Sequence, residues 1–190
     1  MTAEVKPNID RVSLTGEYAI DPVHSRFGVV ARHAVVTKVR VKFSDFEGLL
    51  RLDGVDPSNS YGDVTISATS FDSGNEQRDE HIRSSDFLLA EEHPEITFKT
   101  TSIDGAPDDD SFRVTGDLTV RDVTHPVTFD VDFLGAAVDA WGNTRVGFEG
   151  KAVINRKDWG VSWNTVIEAG GVMVSEKVTL EFEIAAVRNG

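Results

Sequence analysis

The chain has no cysteine among its 190 residues, which excludes disulfides, thiolate metal ligation and a cysteine nucleophile together. Long apolar runs are missing too. Nothing approaches the roughly 18 apolar residues of a membrane span, and the opening MTAEVKPNIDRVSLT lacks the apolar stretch of a signal peptide. A cytoplasmic chain without stable membrane insertion is therefore expected. Basic charge is scarce: 19 Lys and Arg face 32 Asp and Glu, for a net charge of −13. That balance opposes nucleic acid, whose binding needs a cationic footprint, and makes anionic membrane surfaces poor partners. Enzyme signatures are also wanting. The nearest approach to a nucleophile elbow, GVSWN, lacks the second glycine, and neither a phosphate loop nor a His-Glu-x-x-His motif occurs.

What is present is material for one core: hydrophobic residues make up 39% of the chain, with eleven Phe and three Trp. The length suits a single domain. Residues 1–15 are polar and aperiodic, so a flexible leader is expected there, followed by one domain over residues 16–190. After Gly16 the apolar positions alternate with period two, the signature of half-buried strands. Phe27, Val29, Ala31 and His33 share one face of the first run. Similar faces are formed by Val64, Ile66 and Ala68, by Ile96 and Phe98, by Val114, Leu118 and Val120, and by Val127, Phe129, Val131 and Phe133. Val146, Phe148 and Ala152 continue the pattern, and Val172 to Ile184 supply a last long strand. In the run from Val39 to Leu52, Phe43 and Phe46 differ in parity, which predicts a bulge near Ser44. Turn signals separate the runs and no helical crossover intervenes, so the sheet is antiparallel. About eight strands with one apolar face each, and edges in need of protection, favour a closed barrel over a sandwich.

One stretch breaks the alternation, NEQRDEHIRSSDFLLAEEHPEITF from Asn75 to Phe98. Residues 75–85 have helix grammar, with Ser73 or Asn75 as cap and Asp79 to Arg83 as an i,i+4 pair. Ile82 is the helix's only apolar residue, so it should lie on the surface, pinned by the following Phe87 and Leu88 as a lid or end plug. The histidines argue against a metal site. His24 and His33 fall on opposite faces of what reads as one strand, while His81, His93 and His125 are scattered over the helix and two turns. The acidic run Asp108–Asp110 lacks the ligand spacing of a calcium loop and suits a solvated hairpin. Periodicity alone does not separate a filled barrel from a hollow one. Gly116 and Gly150, at inward positions, favour a cavity, although each also suits a bulge.

Six segments in order resemble the YceI-like, polyisoprenoid-binding, lipocalin-like family: YAIDPVHSRFGV, RHAVVTKVRVKFSDFEG, NEQRDEHIRSSDFL, HPEITF, GDLTVRDVTHPVTF and INRKDWGVSWN. The similarity runs from about Gly16 to Val187. It implies an all-β, eight-stranded antiparallel lipocalin-like barrel with a short helical lid, whose apolar interior holds an isoprenoid lipid such as a polyprenyl chain or an isoprenoid quinone. It implies binding, with no reaction established; storage or transport of the lipid without a cofactor is the expectation drawn from it. Val41 and Trp159 depart from the family's common Gly and Phe, and both add bulk to the pocket.

On this basis the candidate lining is Phe27, Val29, Phe43, Phe98, Phe129, Val131, Phe148 and Trp163, with Phe87 anchoring the lid. His33, Arg78 and Asp79 are candidates to orient a polar head at the mouth; their alternative role is to tie lid to barrel. No catalytic or metal-binding residue is expected, and a homodimer is compatible with the sequence. The rival function is an enzyme acting on a lipid or isoprenoid inside the same cavity, with His33 and an acid as general base. A second rival is a filled barrel serving as an interaction module.

Overall fold

The computed structural model describes residues 9–167 and 170–190. Among them the sheet contains β1 (Gly16–Ile20), β2 (Arg26–His33), β3 (Thr37–Phe43), β4 (Phe46–Leu52), β5 (Tyr61–Ser67), β6 (Phe71–Asp72), β7 (Glu95–Asp104), β8 (Ser111–Val120), β9 (Val123–Val138), β10 (Thr144–Asn155) and β11 (Lys177–Arg188). One α-helix, α1 (Glu76–Arg83), lies between β6 and β7. Every pairing is antiparallel.

These segments make eight staves. β1 and β2 both pair with β11, at Tyr18↔Arg188 and Val30↔Thr179 respectively, as one long strand broken at residues 21–25. Pro22 has no N–H to offer a ladder, and the Asp21 carboxylate accepts the Val23 N–H at 2.9 Å, which turns the chain. β3 and β4 are likewise one strand, broken at Ser44 and Asp45. The two-residue interruption turns both Phe43 and Phe46 inward, where both are buried, as their parity required. The displaced backbone is taken up locally: Ser44 N–H donates to Ser70 O at 3.2 Å and Ser67 N–H to Asp45 O at 2.9 Å. The pairing of β1 with β11 closes the ring, giving the expected eight-stranded antiparallel barrel. β6 covers only Lys42 and Phe43 of β3, so Thr37–Val41 form an edge on that side.

The leader is in part structured. Residues 1–8 lie outside the described residues, but Arg11–Leu14 form a 3-10 turn and Leu14 is buried with Tyr18 and Ile20. Arg11 donates to Asp109 O at 2.8 Å and pairs with Asp110, while Arg188 donates to the carbonyls of Ser13 and Thr15. Leu14, upstream of Gly16, thus packs into the core cluster at one barrel end. Among the described residues no helix is long and apolar enough to cross a membrane.

Candidate functional site

The interior is hollow. A cavity of about 360 Å³ runs along the barrel, lined almost wholly by apolar side chains, within the roughly 300–1,000 Å³ of ordinary ligand pockets. Its middle is a belt of rings: Phe98 packs edge-on against Phe129 at 5.4 Å, Phe129 against Phe182 at 5.5 Å, and Phe182 against Phe27 at 6.2 Å. Gly116 and Gly150 serve this belt in a way their sequence positions did not reveal. A Cβ at Gly116 would lie 2.4 Å from the Phe98 ring, and one at Gly150 would lie 2.5 Å from the Phe182 ring. The glycines therefore do not leave empty space; they let two rings lie against the wall.

The lid closes one end. Asn75 caps α1 by accepting the Arg78 N–H at 2.9 Å. The expected Asp79–Arg83 pair does not form, because both groups find better partners. Asp79 is buried and accepts both the N–H and the hydroxyl of Ser73, and Arg83 donates to Phe71 O at 2.7 Å. Arg78 also grips Ser73, its Nε donating to the hydroxyl at 2.7 Å. After the helix the chain turns inward to bury Phe87 and Ala90. The Phe87 ring packs on Trp163 at 5.2 Å and on His81 at 5.1 Å, and its carbonyl accepts from Arg121 Nη1 at 2.9 Å.

Behind Phe87 lies a group that sequence reasoning missed. Arg156 is buried, lines the cavity, and has its guanidinium 5.8 Å from the Phe87 ring. Its Nε donates to Ser175 O at 2.9 Å, Nη1 to Val161 O at 2.7 Å, and Nη2 to Trp163 O at 3.0 Å and Val174 O at 3.3 Å. Burial pushes its pKa down, and the nearby Glu176 charge opposes that shift. One cation thus holds two stretches of chain over the barrel end by four of their carbonyls, one of which, Val174 O, also accepts from Asn164 Nδ2 at 2.7 Å. The signal available was the position of this residue inside INRKDWG, where Gly160 adopts φ 76° to close a 3-10 turn. Trp159 of the same turn is buried in the lining and donates to Leu118 O at 2.9 Å.

Of the candidate residues, Phe27, Val29, Phe43, Phe87, Phe98, Phe129, Val131 and Phe148 all stand in the cavity wall. Four do not. Trp163 sits behind Phe87, and Arg78 and Asp79 tie the helix to Ser73. His33 is exposed at the end of β2, because alternation weakens towards the hairpin tip and the strand leaves the core. His24 is not on that strand at all: it lies in the break before β2 with its Nδ1 2.8 Å from Asp21. His125 belongs to β9, edge-on to Trp159 at 5.3 Å. Among the described residues, no three His, Cys, Asp or Glu gather into a possible metal site. At the cavity end opposite the lid, Arg11, Asp53 and Ser60 add polar atoms to the wall.

A model of the YceI-like domain matches residues 18–186. The chain belongs to the YceI-like family. Protein YceI of Escherichia coli is 35% identical over 151 residues, which is 78% of each chain. Among solved structures, BcnA of Burkholderia cenocepacia superposes with a TM-score of 0.76 at 21% identity, covering 87% of this chain and 98% of that one. A domain from Saccharophagus degradans, described as polyisoprenoid-binding and implicated in plant cell wall breakdown, superposes with a TM-score of 0.67 at 12% identity, covering 90% and 98%. This YceI-like chain therefore keeps the barrel architecture of both structures, with its rings and lid built from its own residues.

Proposed function

We propose that this YceI-like barrel binds an isoprenoid lipid, a polyprenyl chain or an isoprenoid quinone, in its cavity and holds or ferries it without chemical change. The observation that carries the reading is the long apolar cavity beneath a lid that is anchored by side chains lining that same cavity. The physical requirement is modest. Micromolar affinity needs about 8 kcal/mol, and each buried CH₂ contributes about 0.8 kcal/mol, so a few isoprene units suffice even after the costs of ordering a flexible chain. The fold shared with a domain described as polyisoprenoid-binding supports the same ligand class. In this reading Phe27, Val29, Phe43, Phe98, Phe129, Val131 and Phe148 contact the chain, and Phe87 closes over it. The enzymatic alternative placed its base at His33, which is exposed and is not part of the cavity wall.

The test is organic extraction of the purified protein followed by mass spectrometry. A co-purifying lipid with a five-carbon repeat is expected. A protein that carries none, and that takes up neither a polyprenyl lipid nor a menaquinone when incubated with them, would refute the proposal.

A further inference from the structure

Charge is not evenly spread over this acidic chain. Between Asp21 and Asp45 there is no acidic residue, yet Arg26, Arg32, Lys38, Arg40 and Lys42 place five of the 19 basic residues there. The segment is the β2–β3 hairpin, and all five side chains are exposed on its outward face. The two furthest from the tip are partnered: Arg26 lies 3.3 Å from Glu181 and Lys42 lies 3.9 Å from Asp72. Among the described residues, Arg32, Lys38 and Arg40 have no carboxylate within ion-pair distance. Arg32 and Lys38 are direct cross-strand partners, a like-charge placement that works against hairpin stability.

The tip adds apolar surface. Ala34 and Val35 adopt φ of 50° and 66°, in the left-handed region where turns ordinarily place Gly, Asn or Asp. Val35 is 60% exposed, Val36 77% and Val166 78%. The tip is not loose: Ala34 N–H donates to Met173 O at 2.9 Å, and Val174 bridges to His33. It is therefore fixed to the chain segment that Arg156 holds over the lid end of the barrel. Cations on β3 do protect a sheet edge from pairing with other chains. That role accounts neither for Arg32, which sits on the inner strand of the hairpin, nor for valines at a strained, solvent-facing turn.

We propose that the β2–β3 hairpin docks the protein on an anionic lipid bilayer, with Arg32, Lys38 and Arg40 over the phosphates and the valine tip in the interface. Such a mixture of cations and a small apolar tip suits peripheral binding and not insertion. The net charge of −13 does not prevent it, since salt screens charges beyond about 8 Å at physiological ionic strength. A bilayer in contact with the hairpin meets the local patch. Docking there turns the lid end of the cavity towards the membrane.

The inference goes beyond the lipid reading of the cavity and is tested apart from it, by co-sedimentation of the full chain with vesicles. Binding to phosphatidylcholine vesicles that contain phosphatidylglycerol is expected, weakening with added salt, with little binding to phosphatidylcholine alone. Each basic residue at an anionic surface contributes about fivefold in affinity, so Lys38→Glu with Arg40→Glu should weaken binding at least 25-fold. Lys99→Glu with Lys151→Glu changes the net charge equally on other strands and should change it less than twofold. Val36→Ser should cost about tenfold, the value of one buried valine side chain. The proposal is overturned by equal binding to both vesicle types, by equal losses in the two double variants, by unchanged binding of Val36→Ser, or by binding to heparin without binding to vesicles.

Discussion

Phe87→Ala tests whether the α1 segment is a lid or a fixed cap. Phe87 is 4% exposed, and Phe-to-Ala changes in cores cost about 3–5 kcal/mol. The lower figure applies because one side of the ring already faces the cavity, so little further packing is left behind. The helix cannot make up the loss: it has eight residues, short of the roughly 12–15 that an isolated helix needs, and Ile82 is its only apolar side chain. A loss of about 3 kcal/mol confined to the lid raises its open population about 150-fold. Hydrogen exchange over residues 76–93 should accelerate by that order while the central amides of β9 to β11 stay protected, and dissociation of bound lipid should accelerate with it. Phe87→Leu retains the apolar anchor and gives up the contacts with Trp163 and His81, each worth about 1 kcal/mol, so an intermediate effect is expected. Equal acceleration throughout the barrel would refute a separable lid. Unchanged exchange in the segment would show that Phe87 is no anchor.

Gly150→Ala should push the Phe182 ring into the cavity, since the added Cβ would lie 2.5 Å from that ring and 3.1 Å from the Asp130 carbonyl. Overpacking of this kind costs about 1–3 kcal/mol. Both a lower melting temperature and a lower lipid content are expected, and a variant normal in both would disprove the role given to this glycine. Arg145 holds the Asp21 and Asp139 carboxyls down to about 2 through contacts of 2.7 and 2.8 Å. A folded-state pKa below the ordinary value of about 3.9 contributes stability that is present above that pH and is lost as the pH falls towards 2. Arg145→Met should therefore be less stable than the parent at neutral pH, and the gap should close on acidification through that window in an unfolding series followed by circular dichroism. A gap independent of pH would show that the pair's charge contributes nothing.

Much of the fold was legible because a barrel wall obeys a period of two. The parity of Phe27, Phe98, Phe129, Val131 and Phe148 placed each in the wall, and the parity change between Phe43 and Phe46 located the break near Ser44. Parity fails where the chain leaves the sheet. At the hairpin tip it carried His33 inward on paper, although the strand has by then passed the core. In the segment from Val161 to Gly171 there is no period, and Val172 and Val174, expected in the last strand, lie before β11, which begins at Lys177; what orders the described residues there is a set of carbonyls that converge on Arg156 from sequence separations of 5 to 19 residues. A long-range hydrogen-bond acceptor set of this kind leaves no local mark. The glycines were misleading for a related reason: an absent side chain shows that something else lies close, and only the register identifies Phe182, the partner of Gly150 across the β10–β11 ladder.

Composition was the weakest guide wherever it was averaged. A net charge of −13 describes the field far from the molecule, and salt removes that field within a few ångströms to a nanometre. A contact surface is decided by the charges that reach it. The acid-free interval between Asp21 and Asp45 was visible in the sequence, but it gains significance only when β2 and β3 pair and bring Arg32 opposite Lys38 on one outward face. The same pairing forces Ala34 and Val35 into the left-handed turn that exposes the valines. Cations and apolar tip therefore arise from one hairpin, and a protein whose overall charge repels an anionic membrane can still present to it one surface that does not.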